Sequence, residues 1–372
     1  MEPSPVRGRR CNFAAMKPLK LTPGVITGTA LTDLFAYCKS EQCALPGVNV
    51  IGSHTANAAM AAAREAKAPV IIQYSHGGAQ FSGGKFLDNG KNLASIAGAV
   101  AGAHHVRTLA EAYGVAVVLH TDHCAHKILP WVDGVLDAGE AYYAKNGVPL
   151  FSSHMLDLSE ELLAKNLEIC RAYLTRMAKI GMTLEIELGV TGGEEDGVDN
   201  SSIDNSKLYT QPSDVLAAYD ALNGVGAFTV AASFGNTHGV YAPGNVKLTP
   251  TILKNSQDHI QKERKTGAHP VDFVFHGGSG STPAEIKEAL SYGVVKMNID
   301  TDLQWAFTQP IKKYMDEKSL YLQGQLGNPE GKDKPNKKQY DPRAWIHVGE
   351  KGMAARLVEA FKDLNAFGKF EF

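Results

Sequence analysis

Eight short apolar runs punctuate the chain: Leu45–Ile51, Pro69–Ser75, Val115–Asp122, Leu150–Asp157, Thr183–Gly189, Phe228–Gly235, Val271–Gly277 and Val294–Asp300. Each reads as a strand. Most of the stretches between them carry helical spacing instead. Ser159–Ile180 is one, with Leu162, Leu163, Leu167, Cys170 and Tyr173. Tyr209–Leu222 and Thr249–Lys265 follow loops, and their early prolines, Pro212 and Pro250, suit helix starts. Strands alternating with helices predict an α/β fold: one (β/α)8 TIM barrel over residues 17–372, with long active-site loops and a C-terminal helical extension. The rival is a doubly wound open sheet. It calls for a Gly-x-Gly-x-x-Gly loop after the first strand, and none is there.

Alternation within the strands shows what points inward. In Thr183-Leu-Glu-Ile-Glu-Leu-Gly, Glu185 and Glu187 share one face and Leu184, Ile186 and Leu188 the other. Helices cover the outside of a barrel, so the apolar face goes out and both glutamates go in. A buried carboxylate needs a cation or a metal. A salt bridge to Lys296 suits Glu185, whereas Glu187, nearer the rim, is the better ligand candidate. Lys296, Asn298 and Asp300 share a face of the last strand in the same way. Two stretches, Thr191–Leu208 and Gln323–Pro342, are long polar loops, and both read as lids over the site.

Three histidines sit where an apolar run breaks into a loop: His123 after Val115–Asp122, His238 after Phe228–Gly235, and His276 in Val271-Asp-Phe-Val-Phe-His-Gly-Gly. They converge only if their strands are parallel and share one rim. Three imidazoles with an open fourth position make a common catalytic zinc site. Directly after His276, Gly277-Gly-Ser-Gly-Ser-Thr offers backbone N–H groups ahead of the helix-like Ala284–Leu290, a setting that attracts an oxyanion. The loops after strands seven and eight are where barrels often hold phosphate. Ser75-His-Gly-Gly-Ala, after strand two, is either a plain turn or a grip for the far end of an elongated ligand.

Composition narrows the picture only slightly. The formal net charge is −2 over 372 residues, so no overall basic field would draw in nucleic acid. No apolar run approaches the roughly 20 residues of a membrane helix. Five cysteines (Cys11, Cys38, Cys43, Cys124, Cys170) without metal-type pairing suit free thiols in a reducing compartment. Residues 1–16 carry Arg7, Arg9 and Arg10 but no apolar segment, which excludes a secretory signal. They read as a disordered extension, with an organellar transit remnant as the alternative, and the cytoplasm is the expected compartment.

Longer segments carry a resemblance. HTDHCAHK (120–127), FSSHMLDLSEE (151–161), TLEIELGVTGGEEDGVDN (183–200), ASFGNTHGVYAPGNVKLTPTIL (232–253), FVFHGGSGS (273–281) and GVVKMNIDTDLQWA (293–306) resemble class II fructose-bisphosphate aldolases. The likeness runs from about Lys17 to the C-terminus. The TGGEEDGVDN loop and the GQLGNPEGKDKPNKKQYDPR tail are similar to the dimeric, fructose-bisphosphate-specific branch.

The resemblance implies zinc on His123, His238 and His276, with Asp157 and Glu187 at a second or alternative metal position. It implies Asp122 as the acid–base on the C4 hydroxyl and Glu195 as the group exchanging the proton at the nucleophilic carbon. Gly239, Gly277, Gly278, Ser279, Asn298, Ile299, Asp300 and Thr301 would bind dihydroxyacetone phosphate, and Ser75 and Arg343 the other phosphate. It further implies fructose 1,6-bisphosphate and triose phosphates as ligands, a homodimer with Arg343 serving the partner's site, and activation by a monovalent cation. Two other readings make different demands. A Schiff-base aldolase would use Lys296 and would not need the histidines. A noncatalytic sugar-phosphate binder would not need proton-transfer groups beside a metal.

Overall fold

The computed structural model describes residues 17–189, 209–236, 248–279 and 281–372, together with the backbone of 194–195 and 198–199. Residues 1–16 and most of the 191–208 loop therefore lie outside the described residues, as do His238 and Gly239.

Eight parallel strands close on themselves: β1 Leu45–Asn49, β2 Val70–Tyr74, β3 Ala116–Thr121, β4 Ser153–Leu156, β5 Thr183–Leu188, β6 Phe228–Ala232, β7 Phe273–Phe275 and β8 Val294–Asn298. Each pairs with the next, and β8 returns to β1 through Lys296↔Leu45 and Asn298↔Gly47. Helices follow the strands, among them Ser53–Ala66, Leu129–Asn146, Leu163–Ala178, Pro212–Leu222, Thr251–Arg264, Pro283–Ser291 and Thr301–Glu317. This is the (β/α)8 barrel expected from the alternation. All eight strands fall where the apolar runs lie. Pro212 occupies the first turn of its helix, and Pro250 stands just before the Thr251–Arg264 helix.

The barrel is packed on both sides of its wall. Leu184, Ile186 and Leu188 of β5 are buried beneath the outer helices, while Glu185 and Glu187 are buried on the inner face. After the eighth unit, helix Pro342–Asp363 lies against Ser53–Ala66 and Thr301–Glu317. The chain then ends in a short strand, Phe370–Glu371, paired with Leu19–Lys20. The described ends of the chain are thereby tied together across the structure.

Two segments differ from the sequence reading. Gln323–Pro342, expected as an irregular loop, contains an antiparallel hairpin, Leu326–Asn328 with Gly331–Pro335, and a short helix, Lys337–Tyr340. Its organiser is Asn336, fully buried, whose amide donates to the carbonyls of Gly324 and Gly327 and accepts from Asn328. One buried side chain thus does the work that periodicity would reveal in a longer element. In the Ser75-His-Gly-Gly stretch, the chain enters helix His76–Gly83 rather than a plain turn. Ser75 caps it by accepting from the Gly78 N–H.

Candidate active site

Parallel strands bring their C-terminal ends to one rim, and four of them supply the central polar side chains. His123 lies just past β3, Asp157 just past β4, Glu187 near the end of β5, and His276 just past β7. The His123 and His276 rings approach to 4.6 Å between centroids. His123 Nδ1 stands 3.3 Å from Asp157 Oδ2 and 3.5 Å from Glu187 Oε2. Glu187 Oε2 is also 3.3 Å from His276 Nδ1. Ligand atoms of Asp122, His123 and His276 all lie within 4.8 Å of one another, and so do those of His123, Asp157 and Glu187.

The donor set suits a divalent metal. It combines imidazole nitrogens with carboxylate oxygens, on residues that are buried or nearly so, in reach of one ion. The electrostatics agree. Burial favours the neutral form of His276, but Glu187 and Glu185 outweigh it and raise its pKa to about 9. Burial likewise pushes Asp157 upward, yet hydrogen bonds from His123 and Ser159 prevail and lower it to about 2. With Glu187 and Glu185 beside it, His276 favours a proton that a metal ion would replace. The third predicted ligand, His238, lies outside the described residues. The chain leading to it is anchored at buried Asn236, whose amide donates to the His276 carbonyl at 3.0 Å.

Asp122 sits beside this cluster and is fully buried. Two amides hold its carboxylate: Asn49 Nδ2 donates to Oδ2 at 2.8 Å and Asn298 Nδ2 to Oδ1 at 3.3 Å. Behind Asn49, Gln73 donates to its Oδ1 at 2.6 Å. The arrangement requires Gly47. A Cβ there would lie 2.5 Å from Asn298 Oδ1 and 2.8 Å from Gln73 Oε1. Sequence reasoning missed Asn49 and Gln73. The available signal was a lone amide at the end of β1 and another facing it from β2, both amid apolar neighbours.

One layer deeper, Lys296 Nζ donates to both oxygens of Glu185, at 2.9 and 2.7 Å. The salt bridge weighed from alternation alone is therefore present. Burial favours a protonated Glu185, but the ammonium outweighs it and holds the carboxyl well below its usual range. Burial, reinforced by Lys296, holds His120 well below the usual imidazole range.

The glycine segment after His276 is placed against β8. Gly277 adopts φ +59°, Gly278 N–H donates to the Asn298 carbonyl at 3.3 Å, and a Cβ on Gly278 would meet Met297. Ser279 lines a small cavity with Gly278, Ile299 and Arg356. Ile299 N–H donates to the Gly47 carbonyl, and Asp300 and Thr301 open the Thr301–Glu317 helix, which has no side-chain cap. The neighbouring helix Pro283–Ser291 differs, because Thr282 and Glu285 close its N-terminus in a reciprocal capping box. Of the two helix starts near Ser279, only that of Pro283–Ser291 is closed by a side-chain cap among the described residues. Arg343 is 88% exposed on its side chain and paired with its own Asp341, Nη2 to Oδ2 at 2.6 Å. The side chain of Glu195 lies outside the described residues.

Comparison with known proteins fits this geometry. The family model "Fructose-bisphosphate aldolase class-II" matches residues 29–369. The chain is 61% identical over 344 residues to a "Fructose-bisphosphate aldolase" of Edwardsiella ictaluri (strain 93-146), covering 92% of this chain and 96% of that protein. It is 59% identical over 346 residues to the "Fructose-bisphosphate aldolase class 2" of Escherichia coli (strain K12), with the same coverage. A crystal structure of fructose-bisphosphate aldolase from Campylobacter jejuni superposes with a TM-score of 0.85 at 53% identity, over 94% of this chain and 98% of that one. With a metal-ready rim on a closed barrel and relatives matched over nearly their whole length, the chain belongs to the class II fructose-bisphosphate aldolases, a family of lyases.

Proposed function

We propose that this rim performs the reversible aldol cleavage of fructose 1,6-bisphosphate to dihydroxyacetone phosphate and glyceraldehyde 3-phosphate, with zinc as its divalent metal. The observation that carries the reading is Asp122, a buried carboxylate clamped by two amides within ligand distance of His123 and His276. His123, His238 and His276 would hold the zinc, which when bound supplies a Lewis acid for the ketone and for the charge that cleavage leaves behind. Asp157 and Glu187 offer an alternative metal position.

Asp122 accepts the C4 hydroxyl proton as the C3–C4 bond breaks, and returns it in the synthetic direction. The amides of Asn49 and Asn298 fix which oxygen lone pairs face the substrate. Glu195 exchanges the proton at C3 of the dihydroxyacetone phosphate half. Gly239, Gly277, Gly278, Ser279, Asn298, Ile299, Asp300 and Thr301 bind that half. Backbone N–H groups of the glycine loop and of an uncapped helix start are suited to its phosphate. Ser75 and Arg343 hold the second phosphate. Arg343 projects outward from its own chain, which favours service to a partner subunit in a homodimer. A cytoplasmic location and activation by a monovalent cation belong to the same reading. No helix among the described residues is long and apolar enough to cross a membrane.

The Schiff-base alternative is disfavoured by geometry. Lys296 is buried, and both oxygens of Glu185 bind its ammonium, so no free amine is presented. The deciding experiment is metal analysis of the purified protein with a cleavage assay on fructose 1,6-bisphosphate. Activity should vanish with chelator, return with Zn²⁺ and return in part with Co²⁺. Borohydride added with substrate should leave the protein unlabelled. Full activity in excess chelator, or covalent trapping on Lys296, would overturn the proposal. Arg343 is tested by mixing subunits carrying Arg343→Ala with subunits carrying His123→Ala. Service in trans restores roughly a quarter of wild-type activity on random mixing, and service in cis restores none.

A further inference from the structure

The Glu185 carboxylate lies one layer beneath the rim, 2% exposed, and it touches more than Lys296. Its Oε1 is 2.9 Å from His276 Nε2, and its Oε2 is 3.5 Å from His120 Nε2. His120 is held at its other nitrogen by Ser153 Oγ, at 2.7 Å. His276 is therefore gripped from below at Nε2, while its Nδ1 faces Glu187 on the rim side.

Stability alone does not account for this cluster. A buried ion pair gains little over well-packed apolar residues of similar volume, and often loses to them. A carboxylate beneath a ligand histidine does have a chemical use. It accepts the N–H of the nitrogen turned away from the ion, fixes the ring's tautomer and orientation, and makes the facing nitrogen a better donor. The ammonium of Lys296 bonds both oxygens of Glu185 and fixes the carboxylate beneath the ring, and the pair adds no net charge under the ion.

We infer that Glu185 and Lys296 are positioning residues for the metal: Glu185 accepts the Nε2–H of His276 so that Nδ1 is presented to the ion, and Lys296, bonded to both Glu185 oxygens, holds that carboxylate in place beneath the ring. The inference rests on the assignment of His276 as a metal ligand.

The test measures zinc affinity of the apoprotein by chelator competition, with the thermal midpoint of the same apoprotein as control. Two paired variants remove both charges at once, so neither partner is left buried alone: Glu185→Gln with Lys296→Met, and Glu185→Leu with Lys296→Met. The leucine pair, which lacks an acceptor, should bind zinc about 10–100-fold more weakly at an unchanged or higher midpoint. The glutamine pair keeps a neutral acceptor and should fall between it and wild type. The visible absorption of the Co²⁺-loaded variants should shift in the same order. Wild-type zinc affinity in both pairs would overturn the inference, as would affinity that merely tracks the midpoint. A separate arm covers failure to fold. In the unmutated, zinc-loaded, ¹⁵N-histidine-labelled protein, the His276 proton should reside on Nε2, and a proton on Nδ1 would refute the arrangement. The two assignments fail distinguishably: His276→Ala retaining wild-type zinc affinity removes the ligand assignment itself, whereas its loss beside unaffected pair variants removes only the positioning role.

Discussion

Glu185 and Glu187 stand two residues apart on one strand, point to the same inside face and are equally buried. Their surroundings are opposite. Glu185 is matched by the ammonium of Lys296, so its charge is balanced within the barrel. Glu187 faces the imidazoles of His123 and His276, with Asp157 close to the same His123 ring. The lower layer is electrostatically complete. The rim layer concentrates carboxylates and imidazoles that a divalent cation would balance. A buried acid thus shows its role by the kind of group set opposite it, an ammonium below and two imidazoles of a metal-type cluster at the rim.

The largest effect is expected from His123→Ala, which removes a donor common to both candidate metal groups. Metal content should fall to background, and cleavage activity with it. Stoichiometric zinc in that variant would show that the rim is not the metal layer. Asp122→Asn comes next. Turnover should drop on the order of 10²–10⁴-fold with little change in KM and with zinc retained, as expected when an acid–base group is lost. If only KM moves, Asp122 orients substrate and its proton role is wrong.

Glu187→Gln sharpens the contrast with its neighbour. Zinc affinity should weaken by roughly 10–100-fold while the apoprotein keeps its stability, since the change relieves crowding of carboxylates. Equal affinity and an unaltered Co²⁺ spectrum would erase the distinction between the two layers. Gly47→Ala probes the layer that joins them. Its Cβ would meet Asn298 Oδ1, Gln73 Oε1 and Lys296 Cε at 2.5–3.0 Å, so the amide clamp on Asp122 must shift. A stability loss of about 1–3 kcal/mol is expected from overpacking, together with a fall in kcat of about 10–100-fold from misplacement. Unchanged melting and kinetics would mean that the clamp is dispensable. The smallest effect lies farthest out. Asn336→Ala should loosen the 326–335 hairpin by about 1–3 kcal/mol, because it removes the amide's hydrogen bonds to the Gly324 and Gly327 carbonyls. The KM for fructose 1,6-bisphosphate should rise a few-fold, with kcat nearly intact. A large kcat effect would place the hairpin in the chemistry instead of at its edge.

The sequence alone determined the eight strands, the barrel they form and the inward side of β5. Strand periodicity is local, and alternation assigns faces without any tertiary information. It also placed His123, His276, Asp157 and Glu187 at strand ends, because a rim position is a position along the chain. What it could not contain was distance across the barrel. Asn49 and Gln73 looked like unremarkable amides until the barrel brought Asn49 to Asp122 and Gln73 to Asn49. The grip of Glu185 on His276 joins residues 91 apart in the chain, and that of Lys296 on Glu185 joins residues 111 apart. Tertiary structure decided these contacts, since hydrogen bonds and ion pairs act over a few ångströms of space and are indifferent to separation along the backbone.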